Sequence, residues 1–348
     1  MIEILKKNPY LYPLILYKIT GKKFKLEDNI FIFKLCHKNG FVIKTNIKNI
    51  RRLKDITESI DMVNEKIPCI PKKNFEGFKN LKKITFPKKY LTRLNTDLFL
   101  NCKMLTIINL PEHYYGEILP EGIFSGLISL KEIKLPKDIQ HLPKRCFYKC
   151  LSLEKIDLSS ILIIEESAFH YCEKLRDIKF SVNLKKIGSS AFNGCLSIRN
   201  LELPHKLKKI EDGAFRECIT LKRILISSGL EFLGFGVFYK CSSLEKVLSH
   251  NLISVSYFNC LGNISEIPNF SFFFCTKLKT FFISNNIERV KEGAFFGCTS
   301  LENVLGRDGL IFENRVFSHC TNLKNIPKNS NENLNKNDFY NCKRLKLE

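Results

Sequence analysis

A phenylalanine recurs every 22 to 25 residues along most of this 348-residue chain, and this period constrains the fold more than any other feature. The twelve positions are Phe75, Phe99, Phe124, Phe147, Phe169, Phe192, Phe215, Phe238, Phe272, Phe295, Phe317 and Phe339. Only the step from Phe238 to Phe272 differs: it spans 34 residues, one period plus an 11-residue insertion near 249–264. Such a period predicts a solenoid, because each unit buries too little surface alone and stacking makes one continuous core.

Each unit carries the same ordered set of apolar residues. Ten units have cysteine three residues after the Phe: Cys102, Cys150, Cys172, Cys195, Cys218, Cys241, Cys275, Cys298, Cys320 and Cys342. Leu or Ile follows at three-residue steps, in an alternating stretch that often ends in Pro. That stretch predicts a short strand, because Pro cannot donate to a strand ladder. The segment around the Phe predicts one helical or 3-10 turn on the opposite side of the coil.

The pattern resembles the BspA-type leucine-rich repeat over roughly residues 67–348. Residues 190–215 show it well, with Ala191, Phe192, Cys195, Ile198, Leu201, Leu203, Pro204, Leu207, Ile210, Ala214 and Phe215. The resemblance implies an α/β repeat solenoid: a right-handed coil with a parallel β-sheet on one face and short helical or 3-10 turns on the other. It also implies a binding rather than a catalytic role. Members occur in bacteria and parasitic protozoa, often as surface or adhesion proteins.

The recurrent cysteine position predicts packing rather than chemistry. Phe78 and Leu127 occupy it in two units, and neither can bind a metal or form a disulfide. The position is therefore interpreted as a buried apolar slot in which free Cys acts as a small hydrophobe. Adjacent coils would bring equivalent Cα atoms to about 4.8 Å, within disulfide range by distance, but parallel Cβ vectors make a bridge awkward. Reduced cysteines favour a cytosolic compartment.

No catalytic, cofactor or metal site is expected. The chain has no G-x-S-x-G, H-E-x-x-H or glycine-rich phosphate loop. Its cysteines lack the C-x₂-C pairs with partner ligands that zinc sites use. We therefore predict a protein that is not an enzyme and needs no cofactor.

The predicted partner surface lies on the outward strand positions, five and seven residues after the Cys slot. In later units the second of these positions is apolar, at Leu225, Leu248, Phe282 and Leu305, and Arg223 and Lys246 flank it. We call these four apolar residues the apolar stripe. Contiguous exposed apolar surface usually marks an interface. A second interpretation stays open, in which the insertion near 249–264 folds over the apolar stripe and buries it.

The formal charge of +21 favours acidic partners, which include nucleic acid and anionic membrane surfaces. A nucleic-acid binder would also need aromatic residues interleaved with the basic ones on one face, or a recognisable module. Neither is visible in the sequence, so the lysines are interpreted as mostly solvated. Loss of binding with salt would support the alternative.

Residues 1–66 do not repeat and are predicted to cap the first coil. Within them, residues 29–47 predict a β-hairpin with its turn at Asn39-Gly40. The last unit ends in a strand, which predicts end-to-end self-association through the C-terminal repeat. No stretch is apolar over the 18 or so residues that a membrane span needs, and residues 9–17 do not form a convincing secretory signal.

The favoured function is a non-enzymatic protein-interaction scaffold that uses the sheet face of the solenoid. The alternatives are a surface or secreted adhesin of the same fold, and a basic binder of nucleic acid or anionic membranes. A cytoplasmic location is favoured, with the cell surface or secretion as the alternative.

Overall fold

The computed structural model describes residues 33–37, 42–45, 54–55, 57–63, 69–70, 72–89, 91–116, 118–249, 261, 263–328 and 336–345. The chain divides into two compact units, Met1–Ile139 (unit 1) and Gln140–Glu348 (unit 2). Both units contain stacked coils whose strands pair in parallel, the arrangement of a parallel β-solenoid, and unit 1 adds an antiparallel hairpin.

Unit 1 combines an antiparallel hairpin with parallel strands. Its strands are β1 (Phe33–His37), β2 (Val42–Thr45), β3 (Thr57–Asp61), β4 (Lys83–Thr85), β5 (Ile107–Asn109) and β6 (Glu132–Ile133). The hairpin strand β1 pairs antiparallel with both β2 and β3. β3, β4 and β5 then pair in parallel. The hairpin therefore lies beside the strand that precedes the first repeat, while its role as a cap stays a prediction.

Unit 2 contains a long and a short strand in most coils. The long strands are β8 (Lys155–Leu158), β10 (Asp177–Phe180), β12 (Asn200–Glu202), β14 (Arg223–Ile226), β16 (Lys246–Ser249), β18 (Thr280–Phe282) and β20 (Asn303–Leu305). The short strands are β7 (His141–Leu142), β9 (Ile163–Ile164), β11 (Lys186–Ile187), β13 (Lys209–Ile210), β15 (Phe232–Leu233), β17 (Glu266–Ile267), β19 (Arg289–Val290) and β21 (Ile311–Phe312). The short strands were not predicted from the sequence.

Equivalent residues of successive coils pair with each other in every parallel ladder of unit 2. The long strands form three separate ladders. The first pairs β8 with β10, the second joins β12, β14 and β16, and the third pairs β18 with β20. The short strands form two ladders, β7 to β15 and β17 to β21. Alternation sets which side chains face inward: in β8, Lys155 and Asp157 are exposed while Ile156 and Leu158 are buried. The period of two therefore places one apolar set against the core.

The predicted helical or 3-10 side is wrong. In the described part of the chain, one 3-10 turn occurs, at Lys336–Phe339, and no α-helix. Instead, the segment around each repeat Phe is a chain of separate turns. The residue two positions after the Phe has positive φ in all twelve coils, as with Lys149 (φ 56°) and Glu217 (φ 57°). A left-handed residue interrupts right-handed helix geometry, so a helix cannot continue through the segment.

These turn segments form a third ladder between coils. The N–H groups of Arg145, Phe147 and Lys149 donate to the carbonyl oxygens of Glu166, Ala168 and His170 at 2.7–2.9 Å. The same relation recurs along the following coils of unit 2. Every second backbone N–H of the turn segment therefore points to the next coil, which satisfies groups that a helix would otherwise have bonded internally.

The repeat phenylalanines stack on each other in the core. In unit 2 the rings from Phe147 to Phe339 form an unbroken column, with neighbouring ring centroids 5.1–6.0 Å apart. The column passes the insertion, because Phe238 and Phe272 still stack at 5.4 Å. Phe78 and Leu127 are fully buried, as is Cys195. The interpretation of the Cys position as a core slot is confirmed.

Candidate partner-binding surface

The long strands of unit 2 present alternate side chains to solvent, and these define its strand face. In β14, Arg223 is exposed and Leu225 is half-buried, while Ile224 and Ile226 are buried. The inward residues repeat from coil to coil because they share one core, whereas the outward residues differ. Any selective recognition on this face must therefore come from the outward positions.

The first coils of the strand face carry charges that neutralise each other. Lys179 Nζ lies 3.2 Å from Asp157 Oδ2, and Arg176 Nη2 lies 2.5 Å from Glu154 Oε2. Burial would raise the pKa of Asp157, but the bonds from Ser159 and Lys179 outweigh it and lower that pKa. These carboxylates already have partners, so this part of the face offers little unpaired charge.

The structure brings the predicted partner-binding residues together in two groups. Leu225 and Leu248 are direct neighbours across the β14–β16 pair, and so are Arg223 and Lys246. Phe282 and Leu305 are neighbours across the β18–β20 pair. β16 ends one ladder and β18 begins the next, so the apolar stripe is two pairs rather than one continuous ladder.

The exposure of the two groups is intermediate rather than complete. Leu305 is 43% exposed, and Leu225, Leu248 and Phe282 are half-buried. Arg223 and Lys246 are both exposed. The interpretation in which the insertion covers the stripe concerns residues 250–260 and 262, which lie outside the described residues.

The repeat cysteines are buried thiols with a hydrogen-bonding role that the sequence did not reveal. In coil after coil the thiol donates to the backbone oxygen of the repeat Phe of the preceding coil, as from Cys218 to Phe192 at 3.2 Å and from Cys241 to Phe215 at 3.1 Å. Burial raises the pKa of Cys218 to about 12, although a backbone hydrogen bond partly opposes it. A thiol with so high a pKa is a poor nucleophile and a poor metal ligand at neutral pH.

The described residues contain no group of three or more His, Cys, Asp or Glu side chains placed to hold a metal ion. The twelve cysteines whose side chains the structure describes are free thiols; among these, Cys69 is exposed, and it lies outside the repeat pattern. Within the same residues, no helix has the length and apolarity to cross a bilayer.

Comparison with known proteins places this geometry in context. The family model of the BspA type leucine rich repeat region matches residues 53–162, 142–260 and 249–347, with six copies. No curated protein matches the chain significantly in sequence.

Several solved structures are similar to the chain. A leucine-rich repeat protein from Bacteroides ovatus is 20% identical over 86% of this chain and 94% of its own, with a TM-score of 0.47. A leucine rich cell surface protein from Faecalibacterium prausnitzii is 19% identical over 89% and 90%, with a TM-score of 0.45. A leucine-rich repeat protein from Eubacterium ventriosum is 16% identical over 81% and 82%, with a TM-score of 0.48.

Proposed function

The chain belongs to the BspA-type leucine-rich repeat family, and from that premise we propose that it is a non-catalytic scaffold that binds a protein partner through the strand face of unit 2. Proteins of this family generally act in protein interaction or as adhesin-like surface proteins. The observation that carries the proposal is the cluster of Arg223, Leu225, Lys246 and Leu248, which are neighbours across β14 and β16.

The chemistry of this cluster supports a partner surface of complementary chemistry. Two adjacent leucines offer apolar area that is only partly covered, and burying such area contributes roughly 25 cal/mol per Å². Two exposed cations, Arg223 and Lys246, lie directly beside the leucines. The matching surface is an apolar centre with an acidic rim, which is the usual organisation of a protein interface.

The repeat cysteines of unit 2 do not support a catalytic role. Catalysis by a side-chain nucleophile needs an activated group beside a base. The thiols of Cys195, Cys218 and Cys241 are instead buried, and burial raises the pKa of each.

The free cysteines are compatible with both a cytosolic and an extracellular location. The sequence favours a cytosolic location because the thiols are expected to be reduced. Fully buried thiols such as Cys195 and Cys298 are also shielded from external oxidants, so their free state is compatible with an extracellular adhesin as well. Localisation by immunofluorescence with and without permeabilisation would separate the scaffold from the adhesin.

The interaction proposal can be tested by affinity capture of the full chain followed by quantitative mass spectrometry. We compare the unmodified chain with Leu225→Ala/Leu248→Ala and with Arg223→Glu/Lys246→Glu. Val182→Ala serves as a control, because Val182 is exposed at the turn after β10, away from β14 and β16. Loss of one specific partner from both double variants, with unchanged thermal unfolding, is the expected result. An identical set of captured proteins in all samples would refute the proposed surface.

A further inference from the structure

A column of partly exposed aromatic rings follows the turn segments of unit 2. The rings of Tyr239 and Phe273 stack at 4.8 Å and 3°, and those of Phe273 and Phe296 at 4.8 Å and 12°. His319 continues the column at 5.1 Å from Phe296, and Tyr340 follows at 5.2 Å. We call these five residues the aromatic column. It lies on the turn segments, separate from the strand face.

Three further rings widen the column near its start. Phe270 contacts Phe273 edge to face at 5.5 Å, Phe235 contacts Phe270 at 5.4 Å, and Phe274 contacts Phe273 at 4.8 Å. Phe235 is 46% exposed, Phe274 is 38% exposed and Tyr340 is 62% exposed. A contiguous group of partly exposed rings is more than the scattered apolar residues of an ordinary surface, and it marks an interaction site.

The backbone does not require aromatic residues here. Phe270 and Phe274 have positive φ values of 55° and 56°, a conformation that costs a bulky residue about 1–2 kcal/mol. The equivalent residues one coil later are Gly293 and Gly297, and a Cβ on either would lie within 2.6–2.8 Å of the Phe270 or Phe274 ring. The rings therefore lie flat on glycines of the next coil. Positive φ at these two positions recurs in most coils of unit 2, so the repeat imposes the conformation, and the backbone does not dictate that rings occupy it.

More exposed cations than exposed carboxylates lie on the turn segments of the column, and Arg216 at its start is paired with Glu217, with 3.6 Å between Nε and Oε1. The Arg216 guanidinium lies 4.4 Å from the Tyr239 ring centroid, and Lys240 Nζ lies 5.5 Å from it. The turn segments that carry the rings, residues 235–243, 269–277, 292–300, 314–322 and 336–344, contain a single carboxylate that is not buried, Glu292. The exposed cations of the same segments are Lys240, Lys277, Arg315, Lys343 and Arg344.

The shape of the column selects a linear ligand. Four ring-to-ring steps of about 5 Å give a length of about 20 Å, which an extended peptide of about six residues would span. Tyr239, Phe273 and Phe296 present their edges, because their faces are covered by stacked neighbours and by Arg216; His319 and Tyr340 meet at a steeper angle at the end of the column. Nucleic-acid bases bind by stacking on free ring faces, so a single strand would find few platforms. A membrane surface needs a two-dimensional patch rather than a line.

We propose that the aromatic column binds an extended acidic peptide segment of a protein partner that carries aromatic or aliphatic side chains. The apolar side chains of the peptide contact the ring edges, and its carboxylates pair with Lys240 and the other exposed cations of the turn segments. This site is distinct from the strand-face site, and its existence does not depend on that site.

The test measures binding of fluorescein-labelled octapeptides to the full chain by fluorescence anisotropy. The first probe alternates Glu with Phe, the second alternates Glu with Ser, and the third alternates Lys with Phe. An eight-residue oligothymidylate and vesicles of phosphatidylcholine with about 30% phosphatidylserine, a composition chosen for roughly physiological anionic charge, complete the set. We expect the Glu-Phe peptide to bind at least tenfold more tightly than the other two peptides.

Variants assign the binding to the column. Phe235→Ala/Phe274→Ala is expected to weaken binding of the Glu-Phe peptide at least tenfold, and Lys240→Glu at least threefold. Phe232→Ala is the matched control, because Phe232 is 45% exposed but lies on the short strand β15. Leu225→Ala/Leu248→Ala is expected to leave the peptide affinity unchanged, so failure of either site is visible separately.

Three results would overturn the proposal: equal binding of the Glu-Ser peptide, tighter binding of the oligothymidylate or the vesicles, or unchanged affinity in Phe235→Ala/Phe274→Ala. Circular dichroism and thermal unfolding establish that each variant is folded. If the double variant fails to fold, Lys240→Glu and the comparison of the three peptides still decide the outcome.

Discussion

The thiol of Cys195 donates a hydrogen bond to the backbone oxygen of Phe169, 3.2 Å away in the preceding coil. The same oxygen also accepts from the N–H of Cys172 at 3.0 Å. Removing the thiol would therefore leave the Phe169 oxygen with one partner. We expect Cys195→Val, which keeps the slot filled, to lower the free energy of unfolding by about 0.5–1 kcal/mol. Cys195→Ala adds a cavity, and we expect a loss of about 1–3 kcal/mol.

Urea unfolding followed by circular dichroism measures both values. Equal stability of the Ala variant and the unmodified chain would contradict the packing role of Cys195.

Thiol reactivity should separate the repeat cysteines from Cys69. Burial raises the pKa of Cys218 to about 12, so at pH 8 about one thiol in 10⁴ is ionised. Cys69 is exposed. We expect iodoacetamide to modify Cys69 within minutes at pH 8, and Cys218 only when the chain is unfolded in urea. Raising the pH to 9 should not change this order. Peptide mass spectrometry locates the label, and equally fast native labelling of both residues would show that the Cys218 slot is open to solvent.

A glycine beside a ring should be less replaceable than a glycine in open space. Gly194 has φ +70°, and a Cβ there would lie 2.5 Å from the Tyr171 ring. Gly126 has φ +74° with nothing within 4 Å of the added Cβ. We expect Gly126→Ala to cost about 1–2 kcal/mol from the backbone alone, and Gly194→Ala to cost more because the ring must move. Urea unfolding of both variants measures the difference, and equal losses would show that the Tyr171 ring yields freely.

A lysine shared by two carboxylates should stabilise unit 2 more than an isolated exposed pair. Lys186 Nζ lies 3.3 Å from both Glu165 and Glu211, in the coils on either side. Burial alone would lower the pKa of Lys186, but the two carboxylates outweigh it and raise that pKa. We expect Lys186→Ala to cost about 1 kcal/mol in urea unfolding, and the loss to shrink in about 1 M NaCl because salt screens the attraction.

Lys137→Ala is the control for Lys186→Ala. Lys137 and Glu112 form a pair with both side chains more than half exposed, so no measurable change is expected. A loss for Lys186→Ala that is independent of salt would mean that packing of the lysine stem, rather than charge, stabilises the coils.

The core could be predicted from the sequence because its residues repeat. Phe192, Cys195 and Leu207 recur at equivalent places in the other units, and all three are fully buried. Phe78 and Leu127 identified the Cys slot as apolar, and the structure agrees. Periodicity reports core positions directly, because every coil must fill the same interior space.

The turn geometry could not be predicted, because its conformation is set by neighbouring coils. Gly194 and Gly297 suggest positive φ, but Lys149, Tyr171 and Phe274 occupy the equivalent position with positive φ as well. Residues with a Cβ favour negative φ, so the residue types at these three positions predict the wrong conformation. The ladder of hydrogen bonds between turn segments overrides it.

The aromatic column was missed for a related reason. Tyr239, Phe273 and Phe296 are each the residue directly after a repeat Phe, and 23 to 34 residues separate them along the chain. They become neighbours only once the coils are stacked in register. Comparing the residue after each repeat Phe from unit to unit was the available signal, because it is aromatic at Tyr148, Tyr239, Phe273, Phe296 and Tyr340.

The insertion between β16 and β17 has a consequence for how such a chain can change over time. Phe238 and Phe272 keep their stacking across it, and the turn segments keep their ladder through Lys240 N–H and the Phe273 oxygen. Both strand ladders, in contrast, end there and begin again. Residues can thus be inserted after a long strand while the stacked repeat phenylalanines keep their spacing. A lineage can lengthen or replace that corner, and so acquire new recognition loops, without having to redesign the interior that holds the coils together.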